Sequence, residues 1–65
     1  MITEIGIIAG EIWHYLEGHK RVKVSQIFKD LKVDKDMVLM SLGWLAREGH
    51  VILKENKGSY TVRQK

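Results

Sequence analysis

Apolar positions at the start of the chain recur at helical intervals. Ile5, Ile8, Ala9, Ile12 and Leu16 follow the i, i+3, i+4, i+7 spacing that aligns side chains on one face of an α-helix. This predicts a first helix capped at Thr3 and stopped at about Gly18, since glycine is the usual residue just past a helix end. Ile7 falls on the side away from that face. In "HKRVKV" the pattern changes to alternation, Val22 and Val24 flanking Lys23, which suits a short edge strand. Ser25 then offers an N-cap for "QIFKDL", a short helix whose buried side would be Ile27, Phe28 and Leu31.

After the tight connection "KV", Asp34 is placed to cap a third helix over about Lys35 to Glu48, its charge suited to the positive helix end. Val38, Leu42 and Leu45 cluster on one side of the helical wheel, flanked by Leu39 and Ala46, and form the expected core face. Gly49 ends this helix where a positive φ is usually required. "VILKE" and "SYTVRQ" both alternate, Val51 and Leu53 matching Tyr60 and Val62 on one face. The intervening "NKG" has the composition of a three-residue hairpin loop with Gly58 in the left-handed region. The order is therefore helix, short strand, helix, helix, hairpin. This is an α+β winged helix-turn-helix, with three helices, a short first strand and a C-terminal β-hairpin wing, expected as a single domain over residues 1–65.

The pieces "IGIIAGEIWHYL", "VSQIFKDL" and "MVLMSLGWLAREGHV" resemble a family of small stand-alone winged helix-turn-helix domains of bacteria and archaea whose function has not been established. The resemblance covers nearly the whole chain, "LGWLAREG" being its most specific part. It implies the fold and a single-domain protein, and no catalytic residue, ligand or operator. The wider winged-helix group implies DNA binding and transcription regulation as the common activity, with many members turned to protein contacts.

Composition narrows the classes. A chain of 65 residues buries only about 60% of its unfolded surface, so its stability margin is thin. With no cysteine, disulfides, thiolate metal sites and thiol catalysis are excluded, which fits a reducing compartment and leaves self-association as the remedy for small size. No apolar run approaches the roughly 20 residues of a membrane span, and no basic region precedes the first apolar stretch as in a signal peptide. A soluble cytoplasmic protein is expected. The net charge of +3 permits a polyanionic partner without demanding one.

Two basic groups stand out, His19, Lys20, Arg21 and Lys23 around the first strand, and Lys54, Lys57, Arg63 and Lys65 along the wing and tail. Lys57 at the expected wing tip, with Asn56 and Ser59 as hydrogen-bonding neighbours and Lys54 behind it, is the leading candidate for a phosphate contact. Lys29 and Lys35 would add contacts from the helix-turn-helix, and Arg47 one from the third helix. A solvated surface that keeps the protein soluble is the competing account of these lysines.

The outward side of the third helix carries Asp36, Met37, Met40, Gly43, Trp44 and Arg47. Reading bases needs Arg or Lys for guanine and Asn or Gln for adenine, and this side offers little of either. Asp34 and Asp36 oppose a phosphate backbone. Met37, Met40 and Trp44 suit a protein surface better than a base edge. Core packing of Trp44 and Met37 against the hairpin or first helix is the competing account. Gly43 costs a helix about 1 kcal/mol relative to alanine, which points to close approach by another backbone or an aromatic ring. Gly6 and Gly10, four apart beside Trp13, would let another element pack closely, with internal packing against the third helix as the favoured account. The partners in view are double-stranded DNA, a second copy of the chain, or another protein; no membrane or small-molecule ligand is expected.

No catalytic constellation emerges. His14, His19 and His50 lie on separate elements without metal-ligand spacing, and His14 is expected to be solvated. "NKGS" is too short for a phosphate-binding loop, and Ser25, Ser41 and Ser59 have no nucleophile-elbow context. No enzyme, metal or cofactor is expected.

Overall fold

The computed structural model describes residues 2–65. Its elements are α1 (Ile2–Glu17), β1 (Val22–Lys23), α2 (Val24–Leu31), α3 (Lys35–Arg47), β2 (Val51–Asn56) and β3 (Ser59–Gln64). Three helices pack on a small antiparallel sheet, the α+β arrangement of a winged helix-turn-helix. Every element contributes to one core: Ala9, Ile12 and Leu16 from α1; Val22 from β1; Val24 and Ile27 from α2; Val38, Leu42 and Leu45 from α3; and Val51 and Val62 from the hairpin. Ile8, Tyr15, Phe28, Leu31, Val33 and Ala46 pack around it, partly buried.

The strand order is β1-β3-β2, so β3 is central and β1 an edge, as the alternation around Lys23 predicts. Val22 faces Val62, and Leu53 faces Val62 from the other side. Val51 stands opposite Gln64, and Tyr60 opposite Glu55. The four apolar wing positions share a face, as the alternation predicts, but only Leu53 and Val62 are direct partners.

Several element ends differ from the sequence reading. Thr3 lies inside α1 and does not cap it. Gly18 does not take a positive φ; the helix stops as the His19 N–H donates to the Leu16 carbonyl at 2.9 Å. Val24 opens α2 instead of continuing β1, so Lys23 holds the N-cap position with no side-chain cap and Ser25 sits in the first turn. α2 ends on Lys32 at φ 53°, a left-handed residue without glycine's freedom. Asp34 does cap α3, accepting the Asp36 N–H at 3.1 Å, and Gly49 takes φ 78° beyond the Glu48 C-cap. The hairpin loop is two residues long. Asn56 pairs with Ser59 inside the ladder, and Lys57 and Gly58 make the turn at φ 51° and 85°. Both central residues with φ > 0 mark a type I′ turn, whose twist matches that of the strands it joins.

Candidate functional site

α3 is seated by its own sequence. The stripe Val38, Leu42 and Leu45 is buried, which fixes the rotation of the helix. Ser41 belongs to the same stripe and is fully buried, its Oγ donating to the Ile5 carbonyl of α1 at 3.3 Å. The sequence reading passed over Ser41 as a site without chemistry. Its signal was positional: 38, 41, 42 and 45 are spaced i, i+3, i+4, i+7, and a small hydroxyl there lets two helices approach while its polar group stays paired.

Once that stripe is inward, the rest of α3 faces out. Asp36, Met40, Gly43, Trp44 and Arg47 are exposed, Trp44 at 52% and Met40 at 39% of its surface, whereas Met37 is half-buried. Trp44 is therefore not a core residue. Leu39, expected beside the core face, is 45% exposed and turns toward the wing. Two shallow grooves flank the helix. On the α1 side, Gly6, Gly10 and Trp13 meet Trp44 and His50 around a groove of about 340 Å³. On the wing side, Leu39 and Gly43 meet Leu53 and Tyr60 around an apolar hollow of about 160 Å³. A Cβ added at Gly6, Gly10 or Gly43 would meet nothing within 4 Å. Internal packing against α3 thus does not require glycine at 6 and 10, and no ring or backbone of the chain itself crowds Gly43.

The nucleic-acid candidates are all exposed but do not form one cluster. The wing tip closes over the start of α3, where Lys35, Ser25, Gly58 and Ser59 line one hollow. Asn56 and Lys57 adjoin it on the turn, and the Ser59 hydroxyl is turned inward, donating to the Asn56 carbonyl at 3.0 Å. Arg47 lies at the far end of α3, about 18 Å away along the helix axis. Lys29 is on α2, and Lys54 pairs with Thr61 on the opposite face of the wing from Leu53.

Behind the helix-turn-helix is a polar cluster that sequence reasoning missed. The Tyr15 hydroxyl donates to Asp30 Oδ2, Gln26 Nε2 donates to Asp30 Oδ1 at 2.9 Å, and the His19 ring stacks on Tyr15 with centroids 4.5 Å apart. The two hydrogen bonds hold the Asp30 carboxyl below its ordinary value, and the same Tyr15–Asp30 bond pushes the Tyr15 phenol up to about 12. His14 is exposed and hydrogen-bonds Glu17 at 2.8 Å. Among the described residues no group of three or more potential metal ligands occurs, and no helix is long and apolar enough to cross a membrane.

The family model of a winged helix-turn-helix domain (DUF2582) matches residues 1–64. The chain belongs to this family. Uncharacterized protein MJ1608 of Methanocaldococcus jannaschii is 43% identical over 61 residues, a match covering 88% of this chain and 86% of the relative. Protein BT2368 of Bacteroides thetaiotaomicron, solved by solution NMR, superimposes with a TM-score of 0.83 at 22% identity, covering 95% of this chain and 76% of that one. The latter similarity establishes shared fold. DUF2582 membership carries with it a DNA-binding-like module on a fold that is typically non-catalytic.

Proposed function

We propose that this DUF2582 domain binds double-stranded DNA weakly, by gripping the sugar–phosphate backbone with little reading of bases. The observation that supports it is the hollow where the wing tip, Gly58 and Ser59, meets Ser25 in the first turn of α2 and Lys35 at the start of α3. Lys57 sits on the adjoining turn, and Lys29 on α2 and Lys54 on the outer face of the wing would add separate phosphate contacts. α3 itself carries no Asn or Gln and a single arginine, Arg47, so its outward face has few groups that distinguish bases. Such binding is driven by counterion release. With four or five phosphates neutralised, log affinity falls against log salt with a slope of roughly −4. Fluorescence anisotropy of a labelled duplex over about 50 to 300 mM salt measures it, and no binding at the lowest salt refutes the reading.

The exposure of Trp44 and Met40 favours a second reading, a protein-docking face on α3 formed by Met37, Met40, Gly43 and Trp44. Half-exposed tryptophan is typical of interface anchors and uncommon as idle surface. Sedimentation of wild type against the Trp44→Ala/Met40→Asp variant tests its homodimeric form. A dimer in wild type that dissociates in the folded variant supports it; a monomer in both removes it.

A further inference from the structure

The two basic groups that lie at opposite ends of the sequence come together in the sheet. Val22, Leu53 and Val62 share the face turned to the helices, so their neighbours share the opposite one. There Lys23, Thr61 and Lys54 form one row across β1, β3 and β2. In the next row Arg63 stands opposite Ile52, and Arg21, Arg63, Lys54 and Thr61 line a single hollow of about 150 Å³. From the positions Arg21, Lys23, Lys54 and Arg63 we infer a second phosphate-binding surface on the outer face of the sheet, contacting the same nucleic-acid backbone; this rests on the DNA-binding reading above.

Three observations carry it. First, the strands place no acid there: the outward positions are Ile52, Lys54 and Asn56 on β2 and Ser59, Thr61 and Arg63 on β3, while Glu55, opposite Tyr60, is on the other face. Asp30 shares a hollow with Arg21 and Lys23 at the β1 edge, but its oxygens are taken by Tyr15 and Gln26, and among the described residues none of the four cations forms an ion pair with a carboxylate; Arg63 donates to the Gln64 carbonyl at 3.4 Å. Second, four positive charges exceed the net charge of the whole chain, +3, so everything outside this face sums to −1. The excess positive charge of the molecule is therefore matched by this one face, although the wing-tip lysines lie elsewhere. Third, the spacing suits a chain of phosphates. Cations on a sheet repeat about 7 Å along a strand and about 10 Å across two strands, with the Thr61 hydroxyl as a donor between them. A membrane surface fits less well, because Ile52 is the lone large apolar side chain among these positions, and both tryptophans lie in the α1–α3 groove.

Two charge-neutralising pairs separate this surface from the wing-tip hollow. Lys54→Gln/Arg63→Gln and Lys35→Gln/Lys57→Gln each remove two charges, so the loss of net charge is identical and only its place differs. In anisotropy titrations of a labelled duplex at about 100 mM salt, the sheet pair is expected to weaken binding tenfold or more. It should also flatten the salt slope from roughly −4 to roughly −2, with an unchanged melting curve. Full affinity in the sheet pair with loss in the wing-tip pair overturns the inference and leaves the DNA-binding reading standing. Wild type that binds no duplex at the lowest salt overturns both, as does binding to anionic phosphatidylserine vesicles in place of duplex. Should the sheet pair fail to fold, amide shifts of wild type on adding duplex decide: perturbation of Lys23, Thr61 and Lys54 supports the surface, and their silence overturns it.

Discussion

Leu42→Ala and Leu39→Ala remove the same atoms from the same helix, three residues apart, and the fold assigns them very different consequences. Leu42 is 2% exposed in the shared core, so truncating it loses both transfer energy and packing around the cavity left behind. Core leucines replaced by alanine cost about 2–5 kcal/mol. Leu39 keeps nearly half of its surface in water, and only the buried half is at stake, about 1 kcal/mol. A chain this short has a total stability of roughly 3–10 kcal/mol. Leu42→Ala therefore removes about a fifth of it or more, and lowers the melting midpoint by at least about 8 °C, against about 4–8 °C for Leu39→Ala. Thermal and urea unfolding followed by circular dichroism measures both. Equal losses, or a larger one at 39, would refute the rotation of α3 on which the proposed docking face depends.

Two glycines on either side of the α3 terminus should respond with opposite signs in urea unfolding. Gly43→Ala stabilises by about 1 kcal/mol, because the added methyl meets nothing and alanine suits a helix. Gly49→Ala destabilises by about 1–2 kcal/mol, because φ 78° is strained for any side chain. Lys57→Asn should stabilise the hairpin by under about 1 kcal/mol, asparagine tolerating the left-handed first turn position better than lysine; a loss of stability would contradict the type I′ assignment. The Tyr15–Asp30 pair should give stability that depends on pH at both ends. Asp30 is lowered in the fold, so its contribution is present above the ordinary carboxyl value and is lost as pH falls through the folded one. Tyr15 is raised, so its contribution is full below 10 and is lost as pH rises toward about 12. In Tyr15→Phe the alkaline dependence of the melting midpoint should vanish together with a phenolate absorbance step near 12, and the acidic one should shrink while the Gln26 bond keeps part of it.

Much of the fold was legible because long-range packing and local pattern agreed. The stripe of Val38, Leu42 and Leu45, the Asp34 cap and the Gly49 stop each follow from spacing within about two turns, and the structure realises all three. The misreadings fall where two local signals compete. Ser25 is a good cap, but burial of Val24 pulls the helix start two residues earlier; Asn56 suits a loop, but the ladder continues through it to Ser59. Leu39 was placed by angle alone, and the wing leaves that flank of α3 open. Among the candidate residues, exposure of Met40, Trp44 and the lysines could be anticipated. The adjacency of Arg21 to Arg63, and of Lys35 to Ser59, could not, because it depends on strand register and on where the hairpin folds back.

The central position of β3 has a consequence for how the molecule is made. Val22 finds its strand partner forty positions later at Val62, and the Gln64 amide reaches back to the Trp13 carbonyl at 2.9 Å. A growing polypeptide that has delivered only its helices is thus an unsealed half-shell, greasy on its inner side. It closes when the last ribbon slides between the early strand and its own hairpin mate, so cooperative folding should await release of that segment from the ribosome.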